Sequence, residues 1–228
     1  MTISNESRAR VKKAFEPVAL GMGRLGLTPD ALTLIGFAIT VVGAVLVANQ
    51  LWLVGGLVVF AGGAFDMFDG VLARATGRVS RFGAFLDSTS DKAGEIIVYL
   101  GLIAGLQAIG LGGAALLAAA AMGAGVMVTY TRAKSEALGF TTGSGMAAIG
   151  IMPREARLVI LSIGLLAAGV LGAARPLIDS SGATALSPGE GALFLALGII
   201  AIGATITSIQ RILFVRRQAA SAASPTNQ

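Results

Sequence analysis

Apolar residues run along this chain in six long blocks separated by short clusters of charge. The blocks lie near 31–51, 53–74, 83–106, 112–135, 155–174 and 190–214, and a helix crossing a bilayer takes about 20 residues. Ahead of them, 5–25 has a different pattern. Arg8, Arg10, Lys12 and Lys13 are interleaved with Val11, Phe15, Val18 and Met22, whose steps of four, three and four fall on one helix face. That pattern predicts a basic amphipathic helix lying in the membrane interface and kinked at Pro17. It has no short apolar core followed by a small-residue cleavage site, so it does not read as a secretory leader. Thr28-Pro29-Asp30 predicts a helix start, with Thr as cap and Pro at the first helical position. The stretch 218–228 is small and polar and reads as a disordered tail. The expected fold is all-α and integral to the membrane: one domain over 1–217, with six transmembrane helices preceded by the interfacial helix.

Composition agrees. Of 228 residues 13% are charged, against about 25% in soluble domains. There is no cysteine and no histidine, so disulfide and thiol chemistry are excluded, and acid–base or metal chemistry falls to Asp and Glu. The 32 glycines suit close packing of membrane helices. The net charge of +5 could suggest nucleic acid, but the basic residues flank apolar blocks, which is a topology signal. Of the 17 Lys and Arg, all but Arg175 fall on one side of a six-span arrangement. By the positive-inside rule both termini are expected in the cytoplasm.

Blocks two and three carry acids. Asp66 and Asp69 sit near the cytoplasmic end of the second block, and Asp87, Asp91 and Glu95 near the start of the third. A charged side chain at the centre of a membrane helix costs at least about 3 kcal/mol. Asp66 and Asp69 are three apart and Asp87 and Asp91 four apart, each a one-face spacing. Antiparallel spans would bring the two pairs to similar depth, aimed at one point. A hard divalent cation, or two, would relieve the repulsion, since oxygen-only ligands suit Mg²⁺, Mn²⁺ or Ca²⁺. Plain ion pairs with Arg74, Arg78, Arg81 and Lys92, or an ion or proton pathway, are the alternatives. Gly70, Ala73 and Gly83 leave helix surface bare beside the acids, for tight packing or for a bulky ligand such as a nucleotide.

The stretch Asp66-x2-Asp69-Gly70-x2-Ala73-Arg74-x8-Gly83-x3-Asp87-x3-Asp91 resembles the signature of the CDP-alcohol phosphotransferases, with all eight fixed positions present. The motif covers 26 residues, and the span pattern with Thr28-Pro29-Asp30-x2-Thr33 extends the likeness to most of the chain. The resemblance implies a six-helix homodimer, with its active site at the cytoplasmic face, that uses CDP-diacylglycerol or a related CDP-lipid. It implies that Asp66, Asp69 and Asp87 are ligands of Mg²⁺ or Mn²⁺, as a pair of ions, with Asp91 beside them as general base. It implies that Pro29, Asp30, Thr33, Gly70, Ala73, Arg74 and Gly83 line the cytidine and pyrophosphate site. A cation transporter or channel, and a scaffold keeping a degenerate fold, are readings of other classes that an intact signature disfavours.

The connection from Tyr130 to Leu158 and the end of the last block are similar to the branch that uses inositol phosphate, in actinobacterial and archaeal lipid synthesis. That likeness implies that Arg132, Arg157 and Arg211, with Lys134 and Arg154 as neighbours, bind the acceptor's phosphate, for which the Arg fork is suited. Glycerol 3-phosphate is the other acceptor considered, and positive-inside topology is the plain account of the same cations. The branch usually has Lys at position 132 and acids at 153 and 156. The loop from Gly139 to Pro153, with Gly143, Gly145 and Gly150, is also longer than usual for it.

Overall fold

The computed structural model describes residues 16–140, 149–172, 177–178 and 184–223. Helix α1 covers 16–24. It is followed by α2 (Pro29–Ala48), α3 (Trp52–Phe65), α4 (Met67–Ala75), α5 (Arg81–Ala108), α6 (Gly112–Ala137), α7 (Arg154–Leu171) and α8 (Pro188–Ala223). Between α7 and α8, Leu177–Ile178 (β1) pairs antiparallel with Thr184–Ala185 (β2), Leu177 opposite Ala185. This two-residue ladder is the one departure from all-helical structure among the described residues.

Local chemistry explains the helix ends. Thr28 accepts a hydrogen bond from the Ala31 amide at 3.2 Å and Pro29 opens α2, as the sequence predicts. Ser80 caps α5 by accepting from the Gly83 amide at 2.9 Å. Ser187 and Glu190 form a reciprocal capping box at α8, with Ser187 N to Glu190 Oε2 at 2.8 Å and Glu190 N to Ser187 Oγ at 3.2 Å. Gly77 and Gly110 turn the chain after α4 and α5 in the left-handed region that favours glycine.

Among the described residues, four helical stretches are long and apolar enough to cross a membrane: Pro29–Ala48, Trp52–Ala75, Gly112–Ala137 and Pro188–Ala220. Six were expected. The other two, α5 and α7, carry charge. The 28 residues of α5 reach about 42 Å, but Arg81, Asp87, Asp91, Lys92 and Glu95 all lie between its start and its midpoint turn. The 18-residue α7 opens with Arg154, Glu155 and Arg157. The second expected span has a joint at Asp66, between α3 and α4. The last helix runs to Ala223, past 218 where the disordered tail was placed. Gln218 and the alanines after it are good helix formers, so nothing local stops it. Of the expected interfacial helix, 5–15 lie outside the described residues, including Arg8, Arg10, Lys12 and Lys13. So do Gly143, Gly145, Arg175 and 224–228.

The core is one apolar cluster threaded through α2, α3, α5, α6, α7 and α8, built on residues such as Val47, Val59, Leu102, Leu106, Leu165 and Leu197. Helix α2 packs on α3 and α5, α3 on α7, α5 on α6, and α6 and α7 on α8. A smaller cluster docks Ala19 and Met22 of α1 against Leu32 of α2 and Val71 and Leu72 of α4. Glycine sets the closest approaches: a Cβ on Gly43 would stand 2.9 Å from the Val59 amide nitrogen. Replacing Gly43 by Ile overpacks the α2–α3 contact at a cost of about 1–3 kcal/mol. We expect it to lower the thermal unfolding midpoint of the purified protein, whereas Gly113→Ala, with nothing within 4 Å of the new carbon, leaves it unchanged.

Candidate active site

Helix α3 ends on Gly62-Gly63-Ala64-Phe65, and Asp66 joins it to α4. Asp66 keeps right-handed helical angles (φ −55°, ψ −21°) and its amide bonds to the Gly62 carbonyl at 3.3 Å, so the helical turn carries on through the joint. Asp69, on α4, is buried. The Thr33 hydroxyl donates to its Oδ2 at 2.5 Å and the Gly70 amide donates to its Oδ1. It opens with Asp87 of α5 onto a cleft of about 250 Å³. Pro29, Asp30, Thr33, Gly70, Ala73, Arg74 and Gly83 all line that cleft, together with Arg78 and Ser80. Every position expected to meet the nucleotide therefore meets at one place. The bare backbone is needed there. A Cβ on Gly70 would stand 3.3 Å from both terminal nitrogens of Arg74, and one on Gly83 would be 3.0 Å from Ser80 Oγ and 3.2 Å from Asp30 Oδ1.

Asp66 and Asp91 face a second, narrower chamber of about 40 Å³ behind this cleft, lined also by Glu95, Tyr99, Arg154 and Arg157. Arg154 Nη2 lies 2.9 Å from Asp66 Oδ2 and 2.7 Å from Asp91 Oδ1. Arg154, expected beside the acceptor phosphate, is thus paired with the acids here. Two carboxylates facing each other in an apolar interior need a cation between them, and the guanidinium is the one in reach. The pairing partners considered from sequence, Arg74, Arg78, Arg81 and Lys92, do not take this role. The Tyr99 hydroxyl is buried in the same chamber without a hydrogen-bond partner, where there is room for water.

The four acids do not meet at a single point. Among the described residues no three acidic side chains form one group placed to hold an ion. They are linked pairwise instead: Asp69 feels the charge of Asp66, Asp87 that of Asp69 and Asp66, and Asp91 that of Asp66 and Asp87. The donors are all oxygen, which suits a hard divalent cation. The Arg154 guanidinium between Asp66 and Asp91 stands where positive charge is wanted.

Of the expected acceptor residues, three gather. Arg211, within α8, lies within electrostatic reach of Arg132 near the end of α6 and Arg157 in the first turn of α7. Arg157 and Arg211 are buried. Arg211 Nε donates to the Ile149 carbonyl at 3.1 Å and its Nη1 to the Val128 carbonyl at 2.5 Å. Arg132 is half exposed and pairs with Glu136 at 2.8 Å. Lys134 is exposed on α6. The connection into α7 is tied to α8 by Thr207, whose hydroxyl oxygen accepts from the amides of Ile151 and Met152 at 3.1 and 3.0 Å. Two functional groups had no role from sequence. Glu95 holds Arg157 through Nε at 2.7 Å and Nη2 at 3.0 Å, and Lys92 pairs with Glu95 instead of with an aspartate. The three-residue spacing of Lys92 and Glu95 was the only local signal for this network.

Residues 26–206 match the family model described as CDP-alcohol phosphatidyltransferase. The chain belongs to that family. Among curated relatives of this transferase, it is 37% identical to archaetidylinositol phosphate synthase of Pyrococcus horikoshii over 68% of this chain and 78% of that one. It is 34% identical to phosphatidylinositol phosphate synthase of Streptomyces avermitilis over 98% and 86%. The fold matches the crystal structure of Mycobacterium tuberculosis phosphatidylinositol phosphate synthase with CDP-DAG bound, with a TM-score of 0.70 and 27% identity over 89% of this chain and 94% of that one. It also matches the same enzyme in complex with manganese and citrate, with a TM-score of 0.72 and 29% identity over 88% of each.

The Thr33–Asp69 bond can be tested apart from chemistry. Thr33→Val removes the hydroxyl donor from a buried carboxylate, which costs about 1–3 kcal/mol. A lower thermal midpoint is the expected outcome in this CDP-alcohol phosphatidyltransferase. An unchanged midpoint would mean that Gly70 and solvent alone satisfy Asp69.

Proposed function

We propose that this enzyme transfers the phosphatidyl group of CDP-diacylglycerol to inositol phosphate, giving phosphatidylinositol phosphate and CMP. The observation that carries the reading is the single open cleft in which Pro29, Asp30, Thr33, Gly70, Ala73, Arg74 and Gly83 line one wall system with Asp69 and Asp87. Relatives named for inositol phosphate products match most of the chain, and the gathering of Arg132, Arg157 and Arg211 supports a phosphate-bearing acceptor. Glycerol 3-phosphate is the competing acceptor.

In this reading the cytidine and pyrophosphate lie in the cleft between the start of α2, α4 and the start of α5. Arg74 neutralises phosphate oxygens, while Gly70 and Gly83 let the ligand approach the backbone. The acceptor's phosphate is held from the other side by the three arginines. Asp91 takes the proton from the acceptor hydroxyl as that oxygen attacks the lipid-side phosphorus. The bond from that phosphorus to the bridging oxygen breaks, and CMP leaves. Divalent ions, Mg²⁺ or Mn²⁺ and as a pair, held by Asp66, Asp69, Asp87 and Asp91 would neutralise the pyrophosphate and the departing CMP. Asp66 and Asp91, which would help hold such ions, are paired with Arg154 here.

We place the enzyme in the cytoplasmic membrane with six spans, α5 and α7 completing the set. Their charged ends then face the cytoplasm with both termini and the site, in line with the distribution of Lys and Arg. We further propose a homodimer, on the family resemblance.

The test is CMP release from CDP-diacylglycerol by purified enzyme with Mn²⁺ or Mg²⁺, over inositol phosphate, glycerol 3-phosphate, inositol and serine. We expect release only with an acceptor and fastest with inositol phosphate. No release with any of the four defeats the transferase reading, and a clear preference for glycerol 3-phosphate moves the acceptor. Asp91→Asn should lower turnover by about 10²–10⁴-fold while CDP-diacylglycerol still binds. Near-normal turnover in that variant would remove Asp91 as the base.

A further inference from the structure

One buried cluster lies outside the signature. Glu95 stands on α5 one turn beyond Asp91, with its side chain 14% exposed. Its oxygens take three donors: Arg157 Nε at 2.7 Å on Oε1, Arg157 Nη2 at 3.0 Å on Oε2, and Lys92 Nζ, also on Oε2. Lys92 Nζ donates in turn to the Gly125 carbonyl of α6 at 3.3 Å. Arg157 Nη1 donates to the Met152 carbonyl at 3.1 Å. One carboxylate thus ties α5, α6 and α7 together beside the Asp66–Arg154–Asp91 group.

The bonding leaves Arg157 with a defined remainder. A guanidinium carries five N–H groups in a planar fork, and three are engaged by Glu95 and Met152. One is left on each terminal nitrogen, and through such a pair a guanidinium grips two oxygens of a phosphate. The two-point grip by Glu95 fixes both the plane of the fork and its rotation. Charge adds to this. Neutralising Arg157 alone would take one anion, yet Glu95 is shared with Lys92, so the cluster keeps a net positive charge near Arg211. Gly125 leaves room for the arrangement, since a Cβ there would stand 3.0 Å from Glu95 Oε1 and 3.3 Å from Arg157 Nε.

We propose that Glu95 is the positioning residue of the acceptor site, holding Arg157 so that its two remaining N–H groups receive the acceptor's phosphate while Lys92 keeps the cluster cationic. The inference rests on the reading above that the acceptor bears a phosphate and that Arg157 meets it. Glu95 touches no substrate. Its effect passes through Arg157 and is confined to one of the two substrates, which a merely structural ion pair would not be.

The experiment is steady-state kinetics of CMP release with Mn²⁺, varying inositol phosphate and CDP-diacylglycerol separately, for wild type, Glu95→Gln and Gly125→Ala. Loss of a group that orients a ligand-binding side chain is felt at about the 10–100-fold level. The KM for inositol phosphate should therefore rise at least about tenfold in Glu95→Gln, with the KM for CDP-diacylglycerol within about twofold of wild type. Gly125→Ala displaces the pair without removing charge, and alanine suits a helix. It should give the same selective change and decides the matter if Glu95→Gln does not fold. Adding Glu95→Gln to Arg157→Gln should change nothing further. Equal rises in both KM values, a fall in kcat alone, or independent additive effects in the double variant overturn the proposal. A wild type inactive with inositol phosphate overturns the acceptor reading and this inference together. A wild type active with it, beside unchanged variants, overturns this inference alone.

Discussion

Carboxylates on two neighbouring helices, α4 and α5 with the α3–α4 joint, face one another inside an otherwise apolar bundle, and the rest of the site is arranged around that repulsion. A buried acid is tolerated only when it is hydrogen-bonded or paired. Asp69 is held by the Thr33 hydroxyl and the Gly70 amide, Asp66 and Asp91 by Arg154, and Glu95 by Arg157 and Lys92. The partners from other helices come from α2 through Thr33 and from α7 through Arg154 and Arg157, so these two helices balance most of the charge on α4 and α5.

The acids of this arrangement line two spaces. Toward the start of α2, Asp69 and Asp87 open onto a cleft with bare backbone and Arg74, fit for a nucleotide and its phosphates. Toward α7, Asp66 and Asp91 close on Arg154, with the buried Glu95–Arg157 pair beyond. A transfer between two substrates needs this geometry, a donor on one side, an acceptor on the other, and a proton acceptor at the border. The docking of α1 onto α4 and α2 through Ala19, Met22, Leu32 and Leu72 supports the cleft from outside.

Much of this was legible from residues alone, for local reasons. Apolar blocks located the helices to within a few residues, and Thr28-Pro29 marked the start of α2. The signature positions, spaced along α4 and the start of α5, meet in one cleft together with Pro29, Asp30 and Thr33. What was not legible depends on distance in sequence. Arg154 lies 88 positions from Asp66 and Arg157 62 from Glu95, so their pairing follows from the docking of α7 and cannot be read from spacing. The pairing of Arg154 with Asp66 and Asp91 was accordingly not foreseen, and four acids were aimed at one point where no three form one group among the described residues. The Ser187–Glu190 box has a local signal and was overlooked.

The central claim is that this linked set of acids is built to attract divalent cations and that Asp69 and Asp87 both take part. The most direct measurement is titration of the purified protein with Mn²⁺, following the free-ion EPR signal, for wild type, Asp69→Asn and Asp87→Asn. The account predicts that wild type removes Mn²⁺ from solution and that each variant weakens this by at least about tenfold, in line with the loss of one ligand charge. Mn²⁺ uptake by both variants equal to that of wild type would contradict it.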